Sequence, residues 1–191
     1  GDKFMAWFGR EYPAAEVMMA AHKHGGPARP WHAYTQAQIE RCLELAPDFH
    51  LARHNYVVTL IRQQKLEAAY SEAQKLLALE PDNPSYLVSK GTILVRMGRH
   101  AEALEIYERV LRSYPNQARA QMNYGHTLKT VGRLDDSIAA YRKCIALDRS
   151  FGEAYWSLAN LKTFRFDADD VAEMQRQLER EDLDVAHRYH F

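Results

Sequence analysis

The sequence predicts an all-α fold, a right-handed superhelical array of about five helix-turn-helix units. Three observations carry that expectation. The chain agrees best with itself at an offset of 34 residues, glycines recur at fixed places in that period, and a proline closes each block. Glu80-Pro81-Asp82-Asn83 precedes a block at 84–117, and Ser113-Tyr114-Pro115-Asn116 precedes one at 118–151. In this register Gly91 and Gly125 share the eighth place, Gly98 and Gly132 the fifteenth, Tyr107 and Tyr141 the twenty-fourth. Pro47, Pro81 and Pro115 share the thirty-second. A unit of this size cannot close a core alone, so it must bury its apolar faces by stacking on its neighbours.

Residues 1–49 are expected to form a degenerate first unit. Residues 12–24 keep helical spacing through Ala14, Val17, Met18 and Ala21, and residues 34–46 supply a second helix stopped by Pro47. The connection at 25–30 is longer and stiffer than the later turns, and Phe4, Trp7 and Phe8 are expected to cover an end of the stack. Three repeats follow at 50–83, 84–117 and 118–151, each with two amphipathic helices. In the middle one, Tyr86, Leu87, Leu94 and Val95 recur at helical spacing before Gly98, and Ala103, Leu104, Tyr107 and Leu111 after it. Gly91 and Gly125 fall inside helices, where glycine costs about 1 kcal/mol against alanine. A missing side chain there lets the partner helix approach, with Tyr107 or Tyr141 filling the space beside it. Gly98 and Gly132 read as helix-ending residues free to take positive φ. Proline then ends the second helix, because it lacks an amide donor and disfavours helical geometry before it. The 50–83 block diverges most, with Val57, Gln64 and Ala73 where the next two carry Gly, Gly and Tyr.

In the last portion, 152–191, residues 152–164 are expected to form another first helix, and Asp167 caps a partner whose apolar face is Val171, Met174 and Leu178. Residues 184–191 open a further amphipathic helix that stops on aromatics. A terminal unit needs a polar outer face, so this end is read as truncated: the repeat portion of a longer polypeptide, or a surface handed to a partner.

The period, the small residues, the paired aromatics and the closing proline at 50–151 resemble the tetratricopeptide repeat. That resemblance implies a non-enzymatic scaffold that binds a protein or peptide. Further segments resemble the repeat region that precedes the catalytic domain of bacterial sulfotransferase-like proteins. They are residues 41–49, Ala52-Arg53-His54-Asn55-Tyr56, Tyr124-Gly125-His126-Thr127-Leu128-Lys129 and residues 152–166. The family's catalytic domain uses a glycine-rich loop that the nine glycines here do not build, since they form neither G-x-x-x-x-G-K-[ST] nor G-x-G-x-x-G. The likeness therefore implies a context, a scaffold positioning a protein or peptide beside a catalytic domain, with the alternative that this chain is the substrate-recognition portion of a sulfotransferase, and transfers no catalytic residue.

Composition bounds the remaining classes. With 25 basic and 25 acidic residues in 191, the chain has zero formal net charge, which argues against a nonspecific nucleic-acid binder. Apolar residues at 47% and charged ones at 26% place it among folding chains. It holds no apolar run of membrane-spanning length and no secretory core at its start, so a cytoplasmic setting and no membrane partner are expected. Cys42 and Cys144 lie three periods apart at a place that wants a small buried residue, and are read as core. No metal, cofactor or catalytic residue is assigned.

First helices are expected to line the concave side through the second, fifth, ninth, twelfth and thirteenth places of each block. The candidate binding residues are then His54, Arg62, Arg96, Arg119, Met122, His126, Lys129, Trp156 and Asn160. Arg62, Arg96, Arg119 and Lys129 outnumber the single acid there, Glu153, and residues 84–151 carry eleven basic against six acidic residues. An anionic or acidic peptide fits such a groove, because arginine can hold a carboxylate with two parallel bonds. The competing reading is a set of solvated surface charges. Asn55 and Asn123 hint at a terminal-carboxylate clamp, but its lysines are missing, so a chaperone-tail clamp is not expected. His54 and His126 are read as lacking the nearby acid and nucleophile of a catalytic set. Trp156 is left to line the groove or to pack on the next pair.

Overall fold

The computed structural model describes residues 36–191, so the expectations for residues 12–24, the 25–30 connection and the Phe4, Trp7 and Phe8 cap lie outside the described residues. Regular structure in the described residues is helical. In chain order the helices are α1 (Gln36–Leu45), α2 (His50–Arg62), α3 (Leu66–Leu79), α4 (Pro84–Arg96) and α5 (His100–Ser113). They continue as α6 (Ala118–Thr130), α7 (Leu134–Leu147), α8 (Gly152–Ala159), α9 (Ala168–Glu179) and the single turn α10 (Val185–Arg188). None is long and apolar enough to cross a membrane. The chain divides into two units inside α4, after Ile93.

In the first unit α1 packs on α2 and α2 on α3. Ile39 and Cys42 from α1, Ala52, Val57 and Leu60 from α2, and Ala69, Ala73 and Leu76 from α3 are almost wholly buried. Their spacing, three or four within α1 and α3 and five then three in α2, keeps them on one apolar stripe that holds one helix against the next. In the second unit α5 packs on α6, α6 on α7, α7 on α8 and α8 on α10. A core there joins Met122, Tyr141, Cys144, Phe151, Tyr155 and Leu158. Both cysteines are buried free thiols, and burial pushes the Cys144 thiol up to about 12.

One turn recurs through both units. Gln64, Gly98 and Gly132 adopt φ of 60°, 78° and 83°. At each, the left-handed residue donates its N–H to the carbonyl three back, and the next residue donates to the carbonyl five back: Gln64 to Ile61 (3.1 Å) and Lys65 to Leu60 (3.0 Å) in the first. Gly132 to Lys129 (3.1 Å) and Arg133 to Leu128 (2.9 Å) repeat the pattern. This paired closure satisfies carbonyls that a helix end otherwise leaves bare. The turn is thus imposed by hairpin geometry even where its glycine is absent. Gln64→Gly is expected to raise unfolding free energy by about 1 kcal/mol, the cost of holding an L side chain in the left-handed region. Urea denaturation measures it, and an unchanged or lower midpoint would contradict that account.

The last portion departs from the periodic expectation. α8 ends at Ala159 rather than reaching residue 164. Asn160 Nδ2 donates to the Trp156 carbonyl (3.0 Å), Lys162 takes φ of 58°, and Leu161 turns into the core with Phe164 and Phe166 packed against it. Three apolar side chains at uneven spacing are buried better by an irregular turn than by one helical face. α9 begins as expected at a capping box: the Asp170 N–H donates to Asp167 Oδ1 (2.8 Å) and the Asp167 N–H donates to Asp170 Oδ2 (3.2 Å). Its expected apolar face is not its buried one. Val171 and Leu178 are exposed, Met174 is partly buried, and Gln177 is the buried residue. The final segment, expected to open another amphipathic helix, makes a single turn and folds back across the start of α8. A Cβ on Gly152 would strike the His187 carbonyl oxygen and lie 3.1 Å from Phe191 Cε2, so only glycine admits this crossing.

Candidate functional site

The candidate residues occupy first helices, whose inner sides are consumed by packing, and the structure sorts them by place in the period. The fifth place proves to be largely a stacking position. Met122, expected to face a ligand, is 1% exposed and sits in the core with Phe151, Tyr155 and Leu158. The reason is geometric: α8 stacks beside α6, and the fifth place of one first helix meets the following unit. His54 shows the same in the first unit. Its Nε2 hydrogen-bonds Ser89 Oγ at 2.8 Å, and its ring lies tilted 5.2 Å from that of Tyr86. Burial lowers the His54 pKa, so the imidazole is neutral near pH 7. Trp156 holds the equivalent place in α8, yet it is 52% exposed.

The remaining residues lie nearer the surface. Arg62 and Arg96 are exposed in the last turns of α2 and α4, where a cation also suits the negative end of the helix dipole. On α6, Arg119, His126 and Lys129 follow one stripe at spacings of seven and three. Lys129 is half-buried, and the exposed Arg119 places its guanidinium 5.0 Å from the centroid of the Phe151 ring. Asn160 is exposed and spends its amide on the end of α8.

His126 has an acid after all. Glu153 at the start of α8 brings Oε1 to 3.4 Å from His126 Nε2, while the Tyr141 hydroxyl bonds His126 Nδ1 at 3.0 Å. Both ring nitrogens are therefore engaged, and one imidazole ties α6 to α7 and α8. The His126 bond, aided by the charges of His126, Arg119 and His190, holds the Glu153 carboxyl below the usual glutamate range against the opposing effect of burial. Sequence reasoning missed this because the partner lies 27 residues away on the next first helix. The network of His126, Glu153 and Tyr141 holds charge and fixes the orientation of the helices it joins.

A second feature also escaped the sequence. Tyr155, Trp156, Phe166, Tyr189, His190 and Phe191 help to line a cleft of about 340 Å³. Phe191 lies 5.1 Å from Tyr155, and His190 meets Trp156 edge-on at 6.0 Å. The available signal was the crowding of aromatics into residues 155–166 and 189–191.

Residues 85–150 match the tetratricopeptide repeat family. A thermophilic tetratricopeptide-repeat protein of Thermus thermophilus superposes over 92% of this chain and 95% of its own, at 18% identity and a TM-score of 0.68. The first tetratricopeptide domain of Spaghetti (RPAP3), bound to the HSP90 peptide SRMEEVD, covers 60% of this chain and 90% of its own at 17% identity and a TM-score of 0.56. Among curated proteins, the small glutamine-rich tetratricopeptide repeat-containing protein 2 of Mycosarcoma maydis is 26% identical over 83 residues, which is 44% of this chain and 24% of that protein. The chain spans about a quarter or less of the length of the curated relatives it matches. The fold is therefore of the tetratricopeptide kind, with helical hairpins repeating along the chain.

Proposed function

We propose that this tetratricopeptide-repeat chain is a protein-interaction scaffold that holds an acidic peptide segment along its first helices. The observation that carries the reading is the stripe of α6, where Arg119, His126 and Lys129 reach the surface of a helix whose other side is locked into core. A rigid helix presenting basic side chains at fixed intervals suits an extended carboxylate-bearing ligand, since little ordering is left to be done on binding. The similar fold of Spaghetti (RPAP3), which carries a peptide with three acidic residues, supports the same use here.

Glu153 tempers the basic surface, because its carboxylate already occupies His126 and draws on Arg119. Two substitutions therefore pull in opposite directions. A fluorescent acidic peptide that binds the wild-type chain is expected to bind Arg96→Glu/Lys129→Glu at least tenfold more weakly, and Glu153→Gln several-fold more tightly. Both effects should shrink as salt rises through the physiological range. Equal affinity for all three proteins, measured by anisotropy, would remove the basic-groove reading and leave the fold untouched.

The likeness of residues 152–166 to sulfotransferase-like proteins supports a finer version, in which the scaffold positions a protein substrate for a sulfate-transferring domain. Sequencing the gene beyond Phe191 tests it, since a strand followed by a glycine-rich, hydroxyl-bearing loop is required. Self-association through the aromatic tail is a separate reading, checked by light scattering before and after deletion of residues 184–191.

A further inference from the structure

We propose that the aromatic cleft of the second unit binds a small quaternary ammonium compound of about choline's size. Its walls come from three places that the fold brings together: Tyr155 and Trp156 on α8, Phe166 before α9, and Tyr189 and Phe191 on the returning tail. The rings are inclined to one another rather than stacked face to face. Tyr155 and Phe166 are inclined by 33°, Tyr155 and Phe191 by 48°. A ring face carries negative charge density, so several rings around one volume favour a diffuse cation over a neutral group of equal size. The volume, about 340 Å³, lies at the small end of ligand pockets and suits a compact head group with a short polar arm.

The segment that builds the cleft is acidic on balance. Residues 152–191 carry nine acidic against five basic residues, the reverse of the preceding repeats. No lysine or arginine lines the cleft. Burial pushes the Tyr155 hydroxyl up to about 12, with Glu173 and Asp170 adding to the shift and Arg149 and Arg142 opposing it. That hydroxyl is also buried with no hydrogen-bond partner among the described residues, which leaves its lone pairs uncompensated in a residue that lines the space. An anion would meet the negative faces of the rings, and a neutral apolar group would leave them unanswered.

The test compares choline with 3,3-dimethylbutan-1-ol, the same shape with carbon in place of the charged nitrogen, titrated into the whole chain by calorimetry and tryptophan fluorescence. Choline is expected to bind in the millimolar range and at least tenfold more tightly than its neutral twin. Trp156→Ala is expected to weaken choline at least tenfold, and Trp156→Phe less. Tyr189 is 85% exposed, so Tyr189→Ala leaves the fold alone and should still weaken choline several-fold. Trp156→Phe keeps Trp7 and Trp31, so loss of the fluorescence response there assigns the signal to Trp156. Equal affinity of the two compounds, binding unaffected by Trp156→Ala and Tyr189→Ala, or no choline binding at tens of millimolar would each overturn the proposal. Arg96→Glu/Lys129→Glu should leave choline binding unchanged, so this site and the acidic-peptide surface can fail separately.

Discussion

Gly125→Val is expected to lower the unfolding free energy by about 3 kcal/mol, the upper part of the range for overpacking a filled core. A Cβ built on Gly125 would lie 2.6 and 2.7 Å from Cε1 and Cδ1 of Tyr141, well inside contact distance. Tyr141 cannot step aside cheaply. It is fully buried, its ring stands edge-on to His126 at 5.5 Å, and its hydroxyl holds His126 Nδ1 at 3.0 Å. Even Gly125→Ala, which gains about 1 kcal/mol of helix propensity, should be net destabilising because the ring must move. The corresponding places in the 50–83 block hold Val57 and Ala73, both fully buried, with the larger side chain on the first helix instead of the second. Tyr141→Ala alone should cost about 4 kcal/mol as an unfilled cavity. Gly125→Val/Tyr141→Ala copies the Val57 and Ala73 arrangement, so the double variant should be more stable than Tyr141→Ala alone. The coupling between the two sites should therefore exceed about 3 kcal/mol, at the top of the range for residues in contact. Strictly additive losses in urea denaturation would show that the two places do not share one volume.

That exchange of volumes shows how far periodicity could be read. A glycine opposite a tyrosine is visible in the sequence, and the structure has them in contact at Gly125 and Tyr141. Hairpin turns were legible at Gly98 and Gly132 because only glycine enters the left-handed region without cost. Gln64 takes the same φ with no such mark, since the paired hydrogen bonds of the turn outweigh a local strain of about 1 kcal/mol. Surface and core were harder to separate. Met122 reads as a groove residue when one hairpin is considered alone, and becomes core only when the next is stacked upon it. The bond from His126 to Glu153 has the same origin, because it joins two first helices across a repeat junction. Beyond Ala159 the period stops informing the structure. There the burial of Phe164, Phe166 and Phe191 is decided by what lies beside them, and no spacing announces it.

Asp170 is the residue on which that last portion turns, and Asp170→Ala is expected to release α9 while the helices before it stay folded. Its carboxylate accepts both Arg142 nitrogens, Nη2 at 2.7 Å and Nη1 alongside, and also the Asp167 N–H that completes the capping box. Arg142 in turn lies 4.8 Å above the centroid of the Phe164 ring. One side chain thus joins α7, the irregular turn and the start of α9. With the Asp170 side chain 11% exposed and that of Arg142 35% exposed, the pair is neither a deep ion pair nor a freely solvated one. Losing it together with half of a capping box should cost about 2 kcal/mol, concentrated on α9. Opening of so short an element need not unfold the rest. Limited digestion with trypsin should therefore cut Asp170→Ala after Arg176 and Arg180 at least tenfold faster than the wild type, while α6 and α7 resist. Acid should reproduce the effect. The bonds from Arg142 hold the Asp170 carboxyl below the ordinary aspartate range, so its contribution is complete above an unfolded pKa near 4 and disappears as pH falls through the lower folded value. Wild-type α9 should loosen in that acidic window, and Asp170→Ala should show a smaller transition, since the Glu173 carboxyl, held below its usual range by Gln177, Arg176 and Arg149, still remains to protonate. Equal protease resistance of the two proteins at neutral pH would mean that Phe164 and Phe166 hold α9 without the ion pair. In that case the aromatic cleft, which takes Phe166 as one of its walls, would owe its shape to packing alone.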